Sequence, residues 1–480
     1  MAPPHGVVSH QPLTSEAAPG SPGPGCRPGL GRGGRWRELG SAGLVLAAII
    51  GPVRAADPPG DPAATAAVLG PPAAAPQPAA PLVPLAPDQA WPTLNGLLNL
   101  PPWLNLALNV QSDGFFNPVG GQVAARNWIQ QTTVDASVSS GFGKDQSRWR
   151  EADHWLLHGE LTAISGVAGY GQRIGAIFPL TALDHPTGFW ITEVSLQRLG
   201  GSQGVDVKAG LLPLNPAFVQ APVFNAYLNS VFNNTLNLNQ PGLPINPYLA
   251  PGLELHWRPA ARDPALPGDA GALGEWHYGA YLLNPTTQLA GLLGVIPDQP
   301  PLRGHSQLLQ WSFARLPGAR RLAAPIRHRG EALTRLLPPP LLQIGGGYLT
   351  DEGRGAILPL GFSSLTLAPA LPIGLDNRLW LGLSAGNEAG GNPVTLYGSG
   401  GWLCQGFIPG RPFDVLALGY GRSRFNQPLL AGLRPQSLLE LNYSVTLNSS
   451  LSLQPVLQWI QAPAGVGSIL ALGLQLQLQF

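Results

Sequence analysis

The chain reads as an all-β protein, a transmembrane antiparallel β-barrel of about sixteen strands, on three observations. Asp, Glu, Lys and Arg supply only 11% of its 480 residues, against ~25% in an ordinary soluble domain, which leaves too little charge to coat a globule of this length. The longest apolar run in the N-terminal third, Ala42 to Ile50, falls well short of the ~20 residues a spanning helix needs. From Leu104 onward apolar and polar residues alternate with period two. Only helices and closed barrels satisfy every backbone polar group in lipid, so strands without spanning helices point to a barrel. The formal net charge of +1 argues against a nucleic-acid partner. Two cysteines, Cys26 and Cys404, make no disulfide framework.

The amino terminus comes first. Arg27, Arg32, Arg35 and Arg37 precede the apolar run Ala42 to Ile50, followed by Gly51-Pro52 and Val53-Arg54-Ala55-Ala56. A basic stretch, a short apolar stretch and small residues in that order make residues 1–55 a secretory signal peptide with an extended leading region. A disordered tail with a chance apolar stretch is the lesser alternative. Cleavage near Ala55 or Ala56 removes Cys26, leaves Cys404 unpaired and takes the net charge to −2. Residues 56–90 are mostly Ala, Pro, Leu and Val, a composition that favours an extended, disordered spacer. The barrel domain is assigned to residues 91–480.

Strand by strand, a β-strand sends alternate side chains to opposite faces. Leu106, Leu108 and Val110 oppose Asn105, Asn109 and Gln111, and Leu157, Leu161 and Ala163 oppose His158, Glu160 and Thr162. Val205, Val207, Ala209 and Leu211 oppose Asp206 and Lys208. Leu253, Leu255 and Trp257 oppose Glu254 and His256, while Trp276, Tyr278 and Leu282 oppose Glu275 and His277. Leu379, Leu381, Leu383 and Ala385 oppose Trp380 and Ser384. Leu439, Leu441, Tyr443, Val445 and Leu447 oppose Glu440, Asn442, Ser444 and Thr446; Leu451, Leu453, Leu457 and Trp459 oppose Ser452, Gln454 and Gln458. The last segment runs Leu470, Leu472, Leu474, Leu476, Leu478, Phe480 against Gln475, Gln477 and Gln479. Weaker segments near 128–139, 170–178, 189–198, 306–315, 341–349, 397–407 and 413–424 bring the total to about sixteen, an even number, as a closed antiparallel barrel requires. A barrel of that size leaves an aqueous channel. A soluble sandwich or β-helix also alternates, but here the polar parity is rich in Gln, Asn, Ser and His, which suits a wet lumen. Trp257, Trp276, Tyr443 and Trp459 fall on the apolar parity, as interface girdles do.

The C-terminal third carries a resemblance. Gly400-Gly401-Trp402-Leu403-Cys404-Gln405-Gly406-Phe407-Ile408-Pro409-Gly410-Arg411-Pro412-Phe413-Asp414-Val415-Leu416 resembles the strand-turn-strand block of the carbohydrate-selective porins, the OprB family. Glu440-Leu441-Asn442-Tyr443 and Leu453-Gln454-Pro455-Val456-Leu457-Gln458-Trp459 resemble two further strands of that family. The matching positions include Gly406, Arg411, Tyr443 and Pro455. Weaker matches are Leu228 to Asn233 and Pro247 to Leu253. The usual start of the family's barrel is replaced by Trp91-Pro92-Thr93-Leu94-Asn95-Gly96. The resemblance implies a bacterial outer-membrane porin for passive diffusion of small hydrophilic solutes, sugars foremost. It also implies a lipid and lipopolysaccharide environment and, by analogy with porins, a homotrimer.

No P-loop, metal-ligand spacing or nucleophile motif occurs, so neither enzyme activity nor a cofactor or metal is expected. The inward parity supplies the candidate pore-lining residues: Asp135, His158, Glu160, Glu193, Asp206, Lys208, Glu254, His256, Glu275, His277, Trp380, Asp414, Arg422, Arg424, Glu440, Gln454 and Gln458. Carboxylates and amides replace water around a sugar's hydroxyls, and an aromatic face stacks on its ring, weakly enough for release. For each single residue ordinary wetting of the lumen is the competing reading. Arg411 and Asp414 have a second reading of their own, an ion pair that pins the turn. Arg198 and Arg315 fall on the lipid parity at strand ends, where long side chains snorkel. Residues 318–336 concentrate Arg320, Arg321, Arg327, His328, Arg329 and Arg335 against one acid, Glu331. This segment is a solvated mobile loop first, then an inward anion-favouring loop or an outer lipopolysaccharide contact. Two other functions stay open: a general pore for inorganic ions and small nutrients, and a structural outer-membrane protein tethered to the cell wall.

Overall fold

The computed structural model describes residues 93–140, 153–200, 204–218, 221–233, 243–260, 271–283, 304–351, 355–387, 394–428, 430–461 and 466–480. Residues 1–55 and 56–90, expected from sequence to be a signal peptide and a spacer, lie outside the described residues. Among the described residues sixteen antiparallel strands close into one barrel, and two short strands make a separate hairpin.

The first half of the wall consists of β1 (Leu104–Val119), β2 (Arg126–Ser139), β3 (Asp153–Gly166), β4 (Gly188–Gly200), β5 (Val205–Leu212), β6 (Ala250–Trp257), β7 (Glu275–Leu282) and β8 (His305–Phe313). The hairpin is β9 (Ile326–His328) and β10 (Glu331–Leu333). The second half consists of β11 (Leu341–Asp351), β12 (Ala356–Leu367), β13 (Asp376–Gly386), β14 (Val394–Gln405), β15 (Val415–Phe425), β16 (Gln436–Thr446), β17 (Leu451–Gln461) and β18 (Ser468–Gln479). Each barrel strand pairs with its sequence neighbour, and β1 closes on β18 with Asn109 opposite Gln479. Closure leaves no sheet edge, which is what lipid demands.

The faces sort as the parity predicts. Outward side chains such as Leu157, Leu253, Trp257, Trp276, Leu381, Leu441 and Trp459 are exposed on the outer wall, an apolar belt that water would not tolerate over such an area. Their partners on the other parity face the interior. Pairing shifts register in β1, β14 and β4, and in β4 Glu160 pairs with Glu193 while Leu161 pairs with Ile191. Thr192 and Glu193, adjacent in sequence, therefore both point inward.

Two segments differ from the periodicity reading. Residues 170–178 form no strand: Tyr170–Ile174 is a short helix, α2, following the single turn α1 (Leu94–Leu97). Tyr170, Ile174 and Phe178 satisfy a helical spacing of four as well as a period of two, so alternation could not separate them. The strand missing from the count is β12. Its inward Leu358, Leu360 and Phe362 are as apolar as its outward Ile357, so the two faces show no contrast, and Pro359 reads as a breaker. Pro359 nevertheless pairs with Tyr348 inside the sheet. The two differences cancel, so the barrel has sixteen strands, as expected.

The interior is unevenly filled. The connecting residues 167–187, 213–218, 221–233 and 243–249, all at the end of the barrel opposite the chain's C-terminus, fold into it. Together with inward residues of the second half they form an apolar core of Tyr170, Phe178, Phe218, Phe224, Tyr227, Val231 and Phe232 against Leu358, Phe362, Trp380, Tyr397 and Phe425. Helix α3 (Ser230–Asn233) carries Val231 and Phe232 into that core. The wall makes room with glycine. A Cβ on Gly419 would stand 2.7 Å from the Tyr227 ring.

Candidate functional site

Three acids lie opposite one another across adjacent strands on the inner wall. Asp135 on β2 pairs with Glu160 on β3, which pairs with Glu193 on β4. One step along, Asp206 on β5, His256 on β6, His277 on β7 and Gln310 on β8 form a second row. Between them Lys208 pairs with Glu254. The part of the interior that the inserted segments leave open is a cavity of about 830 Å³, lined among others by Asp135, His158, Glu193, Asp206, Lys208, Glu254, His256, Arg258 and His277. A second cavity of about 640 Å³, lined by Asn109, Thr133, Glu160, Ser450 and Gln479, shares Asp135 with the first.

Polar contacts order this wall. The Lys208 ammonium lies 2.8 Å from each carboxylate oxygen of Glu193. The Ser195 hydroxyl donates to Glu193 at 2.6 Å, and the Thr192 hydroxyl donates to Glu160 at 2.6 Å. His158 sits between Ser137 at 3.0 Å and Asp135 at 3.5 Å. The Tyr281 hydroxyl donates to Glu254 at 2.8 Å. Arg258 grips Asp206 with both terminal nitrogens, at 2.6 and 2.8 Å. His256 Nε2 lies 2.9 Å from Glu275. Acids, bases and hydroxyls thus alternate at hydrogen-bonding distance, and such a surface offers polar solutes many weak partners instead of one tight grip.

Other candidates are inward but sealed. Glu440 is fully buried and its carboxylate accepts four hydrogen bonds. The donors are the backbone N–H groups of Leu228 and Asn229 at 2.9 and 3.0 Å and the amides of Asn442 and Gln458 at 2.8 and 3.1 Å. Gln454 donates to the Ala226 carbonyl at 2.9 Å, and Gln458 donates to the Leu180 carbonyl at 2.8 Å. Trp380 donates from Nε1 to the Tyr227 hydroxyl at 2.8 Å, and its ring packs among Phe224, Tyr227 and Phe232. Burial pushes the Tyr227 phenol well up, so it stays a neutral hinge between Trp380 and the Leu418 carbonyl. As a group these four anchor the inserted segments. The expectation that they line open lumen is corrected, because 167–187 and 221–233 cover them.

Arg422 and Arg424 are corrected too. The Gly419–Glu440 pair fixes odd residues of β15 inward, so both arginines stand on the outer face with Leu418 and Tyr420. Gly419 and Gly421 carry no side chain to mark the inner face, so alternation alone points the arginines the wrong way.

Asp414 lies outside the lumen. It precedes β15 and takes a bidentate Arg411 at 2.8 and 3.0 Å, the Tyr443 hydroxyl at 2.9 Å and the Thr446 N–H at 3.1 Å. The Asp414 carbonyl accepts from the Gly406 N–H at 2.8 Å, and Gly406 has a positive φ of 67°. Gly406, Arg411, Asp414 and Tyr443 therefore interlock one turn, the second of the two readings offered for Arg411 and Asp414. Pro455 faces outward on β17, opposite Leu474.

The basic segment 318–336 holds a 3-10 turn and the β9–β10 hairpin at the end of the barrel where the chain terminates. Arg335 lies 2.9 Å from Asp376, which also binds Arg378, and Gln405 clasps Thr334 and Leu336. It is an anchored hairpin, in place of the mobile loop ranked first. Sequence reasoning missed Asp113, Arg258 and Tyr281. All three continue the inward parity of their strands, Arg258 by one step past the end of β6, so extending each alternation would have found them.

The sequence model of the carbohydrate-selective porin, OprB family, matches residues 373–480. The high-pH structure of Pseudomonas putida OprB superposes with a TM-score of 0.59 at 15% identity, covering 80% of this chain and 95% of that one. The low-pH structure of the same protein gives 0.48 at 14% identity, covering 82% and 100%. An uncharacterised Bacillus subtilis protein, YbaS, is 32% identical over 117 residues, 22% of this chain, and the chain spans 36% of that protein's length. By its C-terminal match and by its fold, the protein resembles the carbohydrate-selective porins of the OprB family.

Proposed function

We propose that the protein is a bacterial outer-membrane porin through which small hydrophilic solutes, carbohydrates foremost, diffuse passively. One observation carries the reading: an apolar outer wall encloses a polar cavity of about 830 Å³ set with alternating carboxylates, imidazoles and a lysine. The inserted segments narrow the bore to the β2–β7 side. Glu160, Glu193, Lys208, Glu254, His256, Glu275 and His277 act there as the solute-facing groups, exchanging hydrogen bonds with hydroxyls in place of water. No catalytic role is assigned to any of them. A homotrimer in the outer membrane, in contact with lipopolysaccharide, is the assembly expected by analogy.

Planar-bilayer conductance of the purified protein, titrated with glucose and maltodextrins, tests this. Saturable block of the ion current places a sugar site in the lumen. Conductance indifferent to sugar leaves a general pore, and a silent bilayer removes the transport reading.

A further inference from the structure

We infer that the lumen wall carries a binding site for a borderline divalent transition-metal ion such as Zn2+ or Ni2+, formed by His256, His277 and Glu275. His256 and His277 are directly opposed on β6 and β7, and Glu275 stands two residues before His277 on the same face. Their ligand atoms all lie within 4.8 Å of one another. His256 Nε2 and His277 Nε2 both converge on Glu275 Oε2, at 2.9 and 3.8 Å. Tetrahedral ligands ~2.0–2.1 Å from a zinc ion stand roughly 3.4 Å apart, between those two distances, so small side-chain rotations complete the site.

The ring stacking supports the assignment. The two imidazoles lie 3.9 Å apart, centroid to centroid, with 38° between their planes, so both rings present edge nitrogens to the same carboxylate. Phe218 packs edge-on against His277 and fixes its plane. An outer shell is also in place. Asp206 Oδ2 lies 3.4 Å from His256 Nδ1, and Arg258 holds Asp206 by two hydrogen bonds. Arg258 Nη1 also stands 3.2 Å from that Nδ1, so the pair holds the ring from this side and turns Nε2 toward Glu275 as the candidate metal ligand. Two imidazoles and one carboxylate select this metal class over Ca2+ and Mg2+, which prefer all-oxygen sites. The histidines line the large cavity, so the remaining coordination positions face lumen water. Sequence motifs are silent here because the ligands come from two strands.

The site goes beyond solute passage and is tested by binding alone. Detergent-solubilised full-length protein is dialysed against ZnCl2, with and without excess CaCl2, and bound zinc is counted. We expect one ion per chain that calcium does not displace. His277→Ala and Glu275→Gln, each with a native far-UV spectrum, should weaken it by at least the roughly 10–100-fold typical of losing even an outer-shell partner. Asp135→Asn, in the neighbouring Asp135–His158–Glu160 cluster, should leave binding unchanged. Three results overturn the assignment: no stoichiometric zinc, zinc retained by both ligand variants, or zinc lost in Asp135→Asn and kept in His277→Ala.

Discussion

Replacing Glu440 with glutamine tests what holds the inserted segment 221–233 in the barrel. The carboxylate meets four donors, so an amide in its place must turn its own NH2 toward two of them. Gln458 cannot flip to help, since its Oε1 already accepts from Asn229 at 3.0 Å and its Nε2 also serves the Leu180 carbonyl. Two charge-assisted bonds are lost, at about 1.5–3 kcal/mol each, or about 3–6 kcal/mol. Against that stand the buried Phe224, Tyr227, Val231 and Phe232, each contributing about 1.5–3 kcal/mol of apolar burial. The segment therefore stays docked on average, but its undocked population rises roughly 10²–10⁴-fold. Hydrogen exchange at the Leu228 and Asn229 amides should accelerate by that factor, and single-channel traces should show brief steps to higher conductance. Unchanged exchange in a correctly folded Glu440→Gln barrel would refute the reasoning and assign the docking to aromatic packing alone.

Gly419→Val brings side-chain atoms into the Tyr227 ring, so the same segment is displaced outright; conductance should rise while far-UV circular dichroism keeps its β signature. Asp414→Ala strands the Tyr443 hydroxyl and the Thr446 N–H and frees a largely exposed Arg411. The thermal midpoint should fall by an amount worth about 1–3 kcal/mol, with conductance unaltered because the turn lies outside the bore. Lys208→Met removes a cation from a wall rich in Asp135, Glu160, Glu193 and Glu254, and the reversal potential in a salt gradient should move toward cation preference; a move the other way contradicts the assignment. Arg422→Leu should leave conductance and reversal potential unchanged, since its side chain stands on the outer wall.

Alternation in single strands was enough to name the architecture and to sort Glu160, Lys208, Glu254, His256, Glu275 and His277 to one face. The face of a strand residue is set by its parity and needs no knowledge of partners. That local rule fails where the faces lose contrast: β12 is apolar on both sides because its inner face packs on inserted chain, and β15 hides its inner face behind glycines. It is also blind to what enters the barrel. Whether an inward Glu440, Gln458 or Trp380 meets water or a folded segment depends on contacts more than 150 residues apart in sequence. Only the closed structure decides them, because each rests on the long-range docking of 167–187 and 221–233, and no period within a strand encodes that docking.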